Sequence, residues 1–230
     1  MSESKKKPFQ FPLDLSLSRS LTKDNFLKTV SNINALSWIE KCPDWPSHAL
    51  NLYGASGSGK THLASIFCES LEAFYFECKS INELDPFILS KTNKYIVIDD
   101  IRHVEEENIL FNLYNSVKDE GGKLLLLSRF PPVRWNIQLA DLRSRLLSIP
   151  SIEISPPDEK SLKEILVNKC KAQGFELSDS LTDYAIVRIP RTYNAINTFF
   201  DKINSLSLSR KKKPDLSLIR HIINNYTLDE

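Results

Sequence analysis

The sequence lacks a long apolar run, contains few cysteines and glycines, and has no excess of charge of either sign. No stretch approaches the roughly 20 apolar residues of a transmembrane helix, and no apolar segment of a signal peptide follows the charged first residues. Its four cysteines are scattered without a CxxC spacing, which predicts reduced structural thiols rather than disulfides or a zinc site. These absences predict a cytoplasmic protein that makes no membrane contact.

Charge and length limit the possible classes further. The 30 basic and 29 acidic residues nearly cancel, so no overall field draws the protein to nucleic acid or to a membrane surface. Any such contact requires a local patch. With 230 residues, 41% of them apolar, the chain is long enough for one large domain, or for one domain with a small partner domain.

Three of the six glycines lie in one stretch, GASGSGKT, which fits the phosphate-binding pattern GxxxxGK[ST]. ALNLY before it predicts a buried strand, and THLASIFCES after it predicts a helix. Backbone N–H groups of such a loop converge on phosphate oxygens, and the helix N-terminus adds positive potential. Lys60 is expected to reach the β and γ phosphates and Thr61 to ligate magnesium; the alternative is a glycine-rich turn that binds nothing. The predicted nucleotide-binding residues of this loop are Gly54, Ser56, Gly57, Ser58, Gly59, Lys60, Thr61 and His62.

A second magnesium ligand is expected at the end of a strand beside the first. The apolar run KYIVIDDI ends in Asp99 and Asp100. Asp99 is predicted to be the carboxylate on the metal side, and Asp100 to polarise the attacking water. The alternative is a solvated turn at the strand end.

The periodicity of the chain predicts an α/β fold, with a parallel sheet flanked by helices and followed by a small all-helical lid domain. The stretch SPPDE favours a domain boundary, because its prolines interrupt a strand and suit a helix start. The predicted domains are residues 1–19, 20–155 and 156–230. The predicted strands are residues 49–53, 74–77, 95–98, 123–128 and 149–154, and the lid helices are residues 158–173, 178–188, 191–207 and 214–226.

Five stretches carry a family resemblance: GASGSGKTHLA, YIVIDDI, LLLLS, LADLRSRL and IPRTYNAINTFF. Through them the chain resembles the AAA+ ATPases, and among these the DnaA-related branch. The resemblance implies ADP or ATP as the bound nucleotide, with Mg²⁺. It also implies that the stretch NFLKTVSN lines the adenine pocket, which adds Asn25 and Phe26 to the nucleotide-binding residues.

The same resemblance implies three catalytic roles. Ser128 falls at sensor 1, facing the γ phosphate, and Arg191 at sensor 2, reaching from the lid to the nucleotide. Arg145 falls at the arginine finger, which completes the site of a neighbouring subunit. The alternatives are structural: Arg145 could pair with Asp141 on one helix face, Arg191 could cap a helix, and Ser128 could satisfy a strand end.

The stretch QFPLDL, with Gln10, Phe11, Leu13 and Leu15, fits QxxLxL. It resembles the sliding-clamp motif of Hda-type regulators, which are DnaA-related proteins without the DNA-binding domain. Pro12 disfavours helix and holds the segment extended, so both leucines project to one side. The alternative is a segment that packs on its own domain.

The resemblance therefore implies a regulator of replication initiation. Its expected partners are the β sliding clamp of DNA polymerase III and DnaA, whose bound ATP it would cause to be hydrolysed. A homodimer is a further expected partner state. Contact with DNA is expected to be mainly indirect, through the clamp, which would place the protein at the nucleoid. The ATPase activity of the protein itself is expected to be weak. DnaA initiators continue into a DNA-binding domain, whereas this sequence ends with the lid, so an initiator role is not expected. The alternatives are a helicase-loading or other DNA-handling ATPase that uses the basic run 210–213, and a nucleotide-gated scaffold without catalysis.

Overall fold

The computed structural model describes residues 21–101, 106–210 and 213–225, and within them the strands form one parallel sheet. The strand order is β2-β3-β4-β1-β5. The predicted α/β class with a parallel sheet is confirmed, and the strands lie within a few residues of their predicted positions. The strands are β1 (Ala49–Gly54), β2 (Phe74–Glu77), β3 (Tyr95–Ile101), β4 (Lys123–Ser128) and β5 (Ser151–Ile154).

Helices connect the strands and then continue alone to the end of the described chain. Several begin where local chemistry favours a start, because Asp85, Asp158, Ser178 and Asp215 each accept a hydrogen bond from a backbone N–H of the first turn. The helices of the first part are α1 (Ile33–Glu40), α2 (Lys60–Leu71), α3 (Pro86–Thr92), α4 (Glu107–Asp119) and α5 (Ala140–Ser148). Those after the sheet are α6 (Glu159–Ala172), α7 (Asp179–Ile186), α8 (Tyr193–Arg210) and α9 (Leu216–Asn224).

The sheet separates two hydrophobic layers. In β4, Leu124 and Leu126 pack with α4 and α5, whereas Leu125 and Leu127 pack with α1 and α2. Successive side chains of a strand point to opposite faces, so a run of four leucines is expected only where both faces are covered. All four are fully buried. The result is a helix–sheet–helix sandwich with the phosphate-loop strand β1 near one side of it.

One expectation about the sheet was wrong. The strand that ends in Asp99 was expected beside β1, but β4 lies between β1 and β3. The sequence spacing of two motifs does not determine which strands pair. The uninterrupted leucines of β4 suit a strand at the centre of the sheet. Strand β4 therefore lies next to β1, where β3 was expected.

Helices α6 to α9 build a hydrophobic cluster of their own, with Leu162, Leu166, Phe199 and Ile219 fully buried in it. The chain leaves β5 at Ile154, and α6 begins four residues beyond the predicted boundary. The boundary itself stays a prediction. Among the described helices, none is both long and apolar enough to cross a membrane.

Leu166→Ala should lower the free energy of unfolding by about 2–5 kcal/mol, because it leaves a cavity in the helical cluster. The matched control is Val187→Ala, at a side chain that is 66% exposed, which should change stability by no more than about 0.5 kcal/mol. Urea unfolding followed by circular dichroism measures both. Equal losses in the two variants would contradict the packing of α6 described above.

Candidate functional site

The loop between β1 and α2 has the geometry of a phosphate cradle. Gly57 and Gly59 have φ angles of +74° and +96°, in the left-handed region where side chains are strained. Gly54 has a different constraint, since a Cβ there would lie 2.9 Å from the Ile154 carbonyl oxygen. The loop runs directly into the N-terminus of α2 at Lys60, where helix N–H groups are open to an anion.

Lys60 and Ser58 have unusual surroundings inside this loop. The Lys60 Nζ donates to the carbonyl oxygens of Gly54 at 2.8 Å and Ala55 at 3.0 Å, so the ammonium is held within the curl of the chain. The Ser58 hydroxyl is buried and has no hydrogen-bond partner among the described residues. A cation held inside such a loop fits a ligand with several acceptor oxygens, such as a phosphate.

The two predicted magnesium ligands meet. Thr61 Oγ1 donates to Asp99 Oδ2 at 3.1 Å, although Asp99 lies on β3, beyond β4 from the loop strand. Asp99 is buried, and its Oδ1 accepts the Asp100 N–H at 2.6 Å. Asp100 is exposed at φ +59°, where β3 departs from regular pairing with β4. The irregularity turns Asp100 out of the sheet, as bulges next to functional sites often do.

Thr61 and Asp99 fit a magnesium ion. Hydroxyl and carboxylate oxygens are the ligand types that Mg²⁺ takes, and it is usually held by one or two carboxylates together with phosphates and water. In the part of the chain that the structure describes, no group of three or more His, Cys, Asp and Glu residues could hold a metal alone. The site therefore suits a metal that arrives with a phosphate.

A cleft of about 340 Å³ opens between the loop and the lid helices. The segment before α1 closes one side: Phe26 packs edge-on to His62 with ring centroids 5.0 Å apart, and His62 Nε2 donates to the Thr22 carbonyl at 2.7 Å. Of the predicted nucleotide-binding residues, the cleft brings together Phe26, Gly57, Ser58, Gly59, Lys60, Thr61 and His62. Asn25 and Ser56 are exposed and outside this lining, and Gly54 borders a second cleft.

The lid contributes cleft residues that sequence reasoning missed. Lys169 from α6 and Tyr193 and Asn197 from α8 line it. Asn197 is close to the loop, since a Cβ on Gly57 would lie 2.7 Å from its Nδ2. Tyr193 and Asn197 are four residues apart and therefore share a helix face, which is the one signal in the sequence that links them. Nothing local in the sequence indicates that this face meets the loop.

Two comparisons with known sequences bear on the site. The chain is 27% identical over 229 residues to an uncharacterised protein of Haemophilus influenzae, covering 94% of this chain and 98% of the relative. It is 26% identical over 251 residues to the chromosomal replication initiator protein DnaA of Bacteroides thetaiotaomicron, covering 98% of this chain. This chain spans about half of that DnaA, 53% of its length. No protein-family model matches the chain.

Solved structures share the fold. Domain III of the Thermotoga maritima replication initiation protein DnaA superposes with a TM-score of 0.77, covering 92% of this chain and 98% of that one at 20% identity. The chain has the AAA+ fold of DnaA domain III. A DnaA structure bound to AMPPCP and single-stranded DNA matches with a TM-score of 0.71 at 20% identity, covering 85% of this chain and 69% of that one.

In this DnaA-like AAA+ fold, Ser128 lies at the tip of β4, as expected for sensor 1, but its hydroxyl is already engaged. It is within hydrogen-bond distance of Asn51 Oδ1 at 2.9 Å and of the Phe130 carbonyl at 2.8 Å, and one hydroxyl proton serves one of them at a time. Ser128 shares the face of Leu126, opposite the face of Thr61. The sensor 1 role stays a prediction, and the contacts match the structural alternative.

Neither of the two arginines assigned by resemblance is among the residues that line the cleft. Arg191 pairs with Glu159 at 2.8 Å on the surface, and both side chains are exposed. Arg145, on α5, donates from Nη1 to Asn115 Oδ1, and its guanidinium lies 4.9 Å from the Phe111 ring centroid. Among the described residues no ion pair joins Arg145 to Asp141, so the predicted alternative is not formed. The clamp-motif residues Gln10, Phe11, Leu13 and Leu15 lie outside the described residues.

Lys60→Ala should weaken ADP binding by roughly 10- to 100-fold, because a charge-assisted hydrogen bond contributes about 1.5–3 kcal/mol. The control is Lys91→Ala, at an exposed lysine of α3 remote in sequence from the loop. Isothermal titration calorimetry with ADP measures both. Unchanged affinity in the Lys60 variant would mean that the loop holds no phosphate.

Proposed function

We propose that this protein is an Hda-type regulator of replication initiation. It binds an adenine nucleotide with Mg²⁺ in the cleft, attaches to the DNA-loaded sliding clamp through QFPLDL, and promotes hydrolysis of ATP held by DnaA. The observation that carries the proposal is the position of Arg145. Its guanidinium is held on one face of the sheet, whereas Thr61 and Asp99 of the same chain lie on the other face.

The loop and the magnesium pair support the nucleotide part. Lys60 inside the glycine loop supplies the cation, and Thr61 and Asp99 supply oxygens for a metal bound to the phosphates. When bound, Mg²⁺ supplies charge neutralisation at the phosphates. Phe26 and the lid residues provide a partly apolar wall for the base. The DnaA of the same fold that binds AMPPCP supports the choice of an adenine nucleotide.

Arg145 has the surroundings of a group that acts on a second molecule. Its guanidinium lies over the rings of Phe111 and Tyr114, at 4.9 and 5.9 Å, and Asn115 accepts one of its N–H groups. These partners orient the side chain without neutralising its charge. They belong to α4, which packs on the sheet face opposite α2 and its Thr61.

This arrangement supports a role for the arginine at the partner's nucleotide. An arginine finger stabilises the charge that develops on the transferred phosphoryl group, and it can be supplied by the same chain or by another chain. In the proposed complex, Arg145 supplies that charge to ATP on DnaA. The nucleotide of this chain then serves to hold the fold in a form that can bind DnaA.

A DNA-handling ATPase is the second candidate. The observation that favours it is the shared fold with a DnaA bound to single-stranded DNA. Direct DNA binding would show a strong decrease of affinity with salt, because phosphate contacts release counterions. Weak or salt-independent binding in the absence of clamp would reject this candidate. Clamp binding without any effect on DnaA-bound ATP would instead indicate a nucleotide-gated scaffold.

Arg145→Ala should leave nucleotide and clamp binding near wild type and remove the stimulation of DnaA, a loss of about a thousandfold where the finger makes its full contribution. Arg145→Lys should rescue poorly, since a flexible ammonium cannot replace a planar fork. The assay is hydrolysis of radiolabelled ATP on DnaA in the presence of clamp-loaded DNA.

Arg143→Ala is the control for this experiment, because Arg143 is an exposed arginine on the same helix. It should stimulate DnaA normally. Near-normal stimulation of DnaA by a folded Arg145→Ala protein would show that Arg145 is not the arginine finger.

Replacing Gln10 and Leu13 together with alanine should weaken clamp binding at least about tenfold, because one buried leucine contributes roughly 1.5–3 kcal/mol. Nucleotide binding and the melting temperature should stay as in wild type. The control changes Ser16 and Leu17 to alanine, outside the motif. Surface plasmon resonance on immobilised clamp gives the affinities; a destabilised double variant would point to the alternative of a segment that packs on its own domain.

A further inference from the structure

The magnesium-side carboxylate has a third donor that the nucleotide site does not account for. Tyr75 donates its hydroxyl to Asp99 Oδ2 at 2.7 Å, a shorter distance than the 3.1 Å from Thr61 to the same oxygen. We propose that Tyr75 is a positioning residue for the magnesium site. Its hydroxyl holds the Asp99 carboxylate in the orientation that meets Thr61. This inference rests on the proposed nucleotide site.

The strand register explains how a tyrosine on β2 reaches this carboxylate. In the parallel pair β2–β3, Tyr75 is opposite Val97 and Glu77 is opposite Asp99. Tyr75 packs in the layer on the α2 side together with Val97, and Asp99 follows Val97 by two residues on the same face. Diagonal neighbours of this kind lie within reach of an aromatic side chain. The tyrosine ring thus runs alongside β3 and presents its hydroxyl at the strand end.

The other contacts of Asp99 leave Tyr75 a distinct task. The Asp100 N–H fixes Oδ1 from the carboxylate's own strand, and Thr61 reaches Oδ2 from α2. The Thr61 hydroxyl keeps its lone pairs for a metal while its proton points at Asp99. Tyr75 approaches from β2 and therefore limits rotation of the carboxylate from a third direction. Groups that orient metal ligands in this way typically change metal affinity by 10- to 100-fold when they are lost.

The geometry makes the hydroxyl the donor of this bond. A carboxylate offers only acceptor oxygens, so the phenol O–H of Tyr75 points at Asp99 Oδ2. Among the described residues, the hydroxyl has no hydrogen-bond partner other than Asp99. A donor committed to one carboxylate is what positioning requires.

The test is the magnesium dependence of ADP binding by this protein alone. ADP affinity is measured by calorimetry over a series of MgCl₂ concentrations and in excess EDTA, for wild type and Tyr75→Phe. The variant keeps the ring and removes the hydroxyl. We expect the magnesium midpoint to rise by at least about tenfold, with ADP affinity in EDTA unchanged.

Tyr95→Phe, at a partly buried tyrosine of the neighbouring strand, is the matched control and should behave as wild type. A Tyr75→Phe midpoint equal to that of Tyr95→Phe would overturn the proposal. An equal loss of ADP affinity by Tyr75→Phe with magnesium and in EDTA would also overturn it, because that result would indicate a damaged cleft. The same holds if magnesium does not increase the ADP affinity of the wild type. Because DnaA is absent from this assay, failure to stimulate DnaA would reject the regulatory role and leave the Tyr75 result standing.

Discussion

The contact between Thr61 and Asp99 is the interaction on which the rest of the site depends. It joins the loop after β1 to the end of β3 across the intervening strand β4. A carboxylate buried among apolar side chains is costly unless its oxygens are hydrogen-bonded. Here Thr61, Tyr75 and the Asp100 N–H satisfy it from three directions. The same donors that make the burial tolerable also fix the geometry that a metal requires.

The parts of the structure that the sequence predicted are those determined locally. The glycine loop was predictable because Gly57 and Gly59 need positive φ angles, and the leucines of β4 because a strand buried on both faces is apolar throughout. The order of strands was not predictable, because spacing along the chain does not select neighbours in a sheet. The lid residues Lys169 and Asn197 were missed for the same reason, since only tertiary packing brings them to the loop.

The residues assigned by resemblance differ in how well their contacts suit the implied roles, because position in a motif does not determine side-chain contacts. Ser128 occupies the strand tip, yet Asn51 and Phe130 take up its hydroxyl. Arg191 precedes α8, yet a surface pair with Glu159 draws it outward. Arg145 is the assignment whose surroundings match its implied role best, because its neighbours on α4 orient a charge that they do not cancel.

A small polar junction beside the cleft joins segments that are far apart in sequence. The Tyr193 hydroxyl lies 2.8 Å from Ser31 Oγ and donates to the Ser155 carbonyl at 3.2 Å, so one residue of the lid ties together the segment before α1 and the link after β5. One turn along the same helix, Asn197 meets Gly57 of the phosphate loop. Tyr193 and Asn197 lie one turn apart on α8 and both line the cleft. The same helix therefore contacts the polar junction and the phosphate loop.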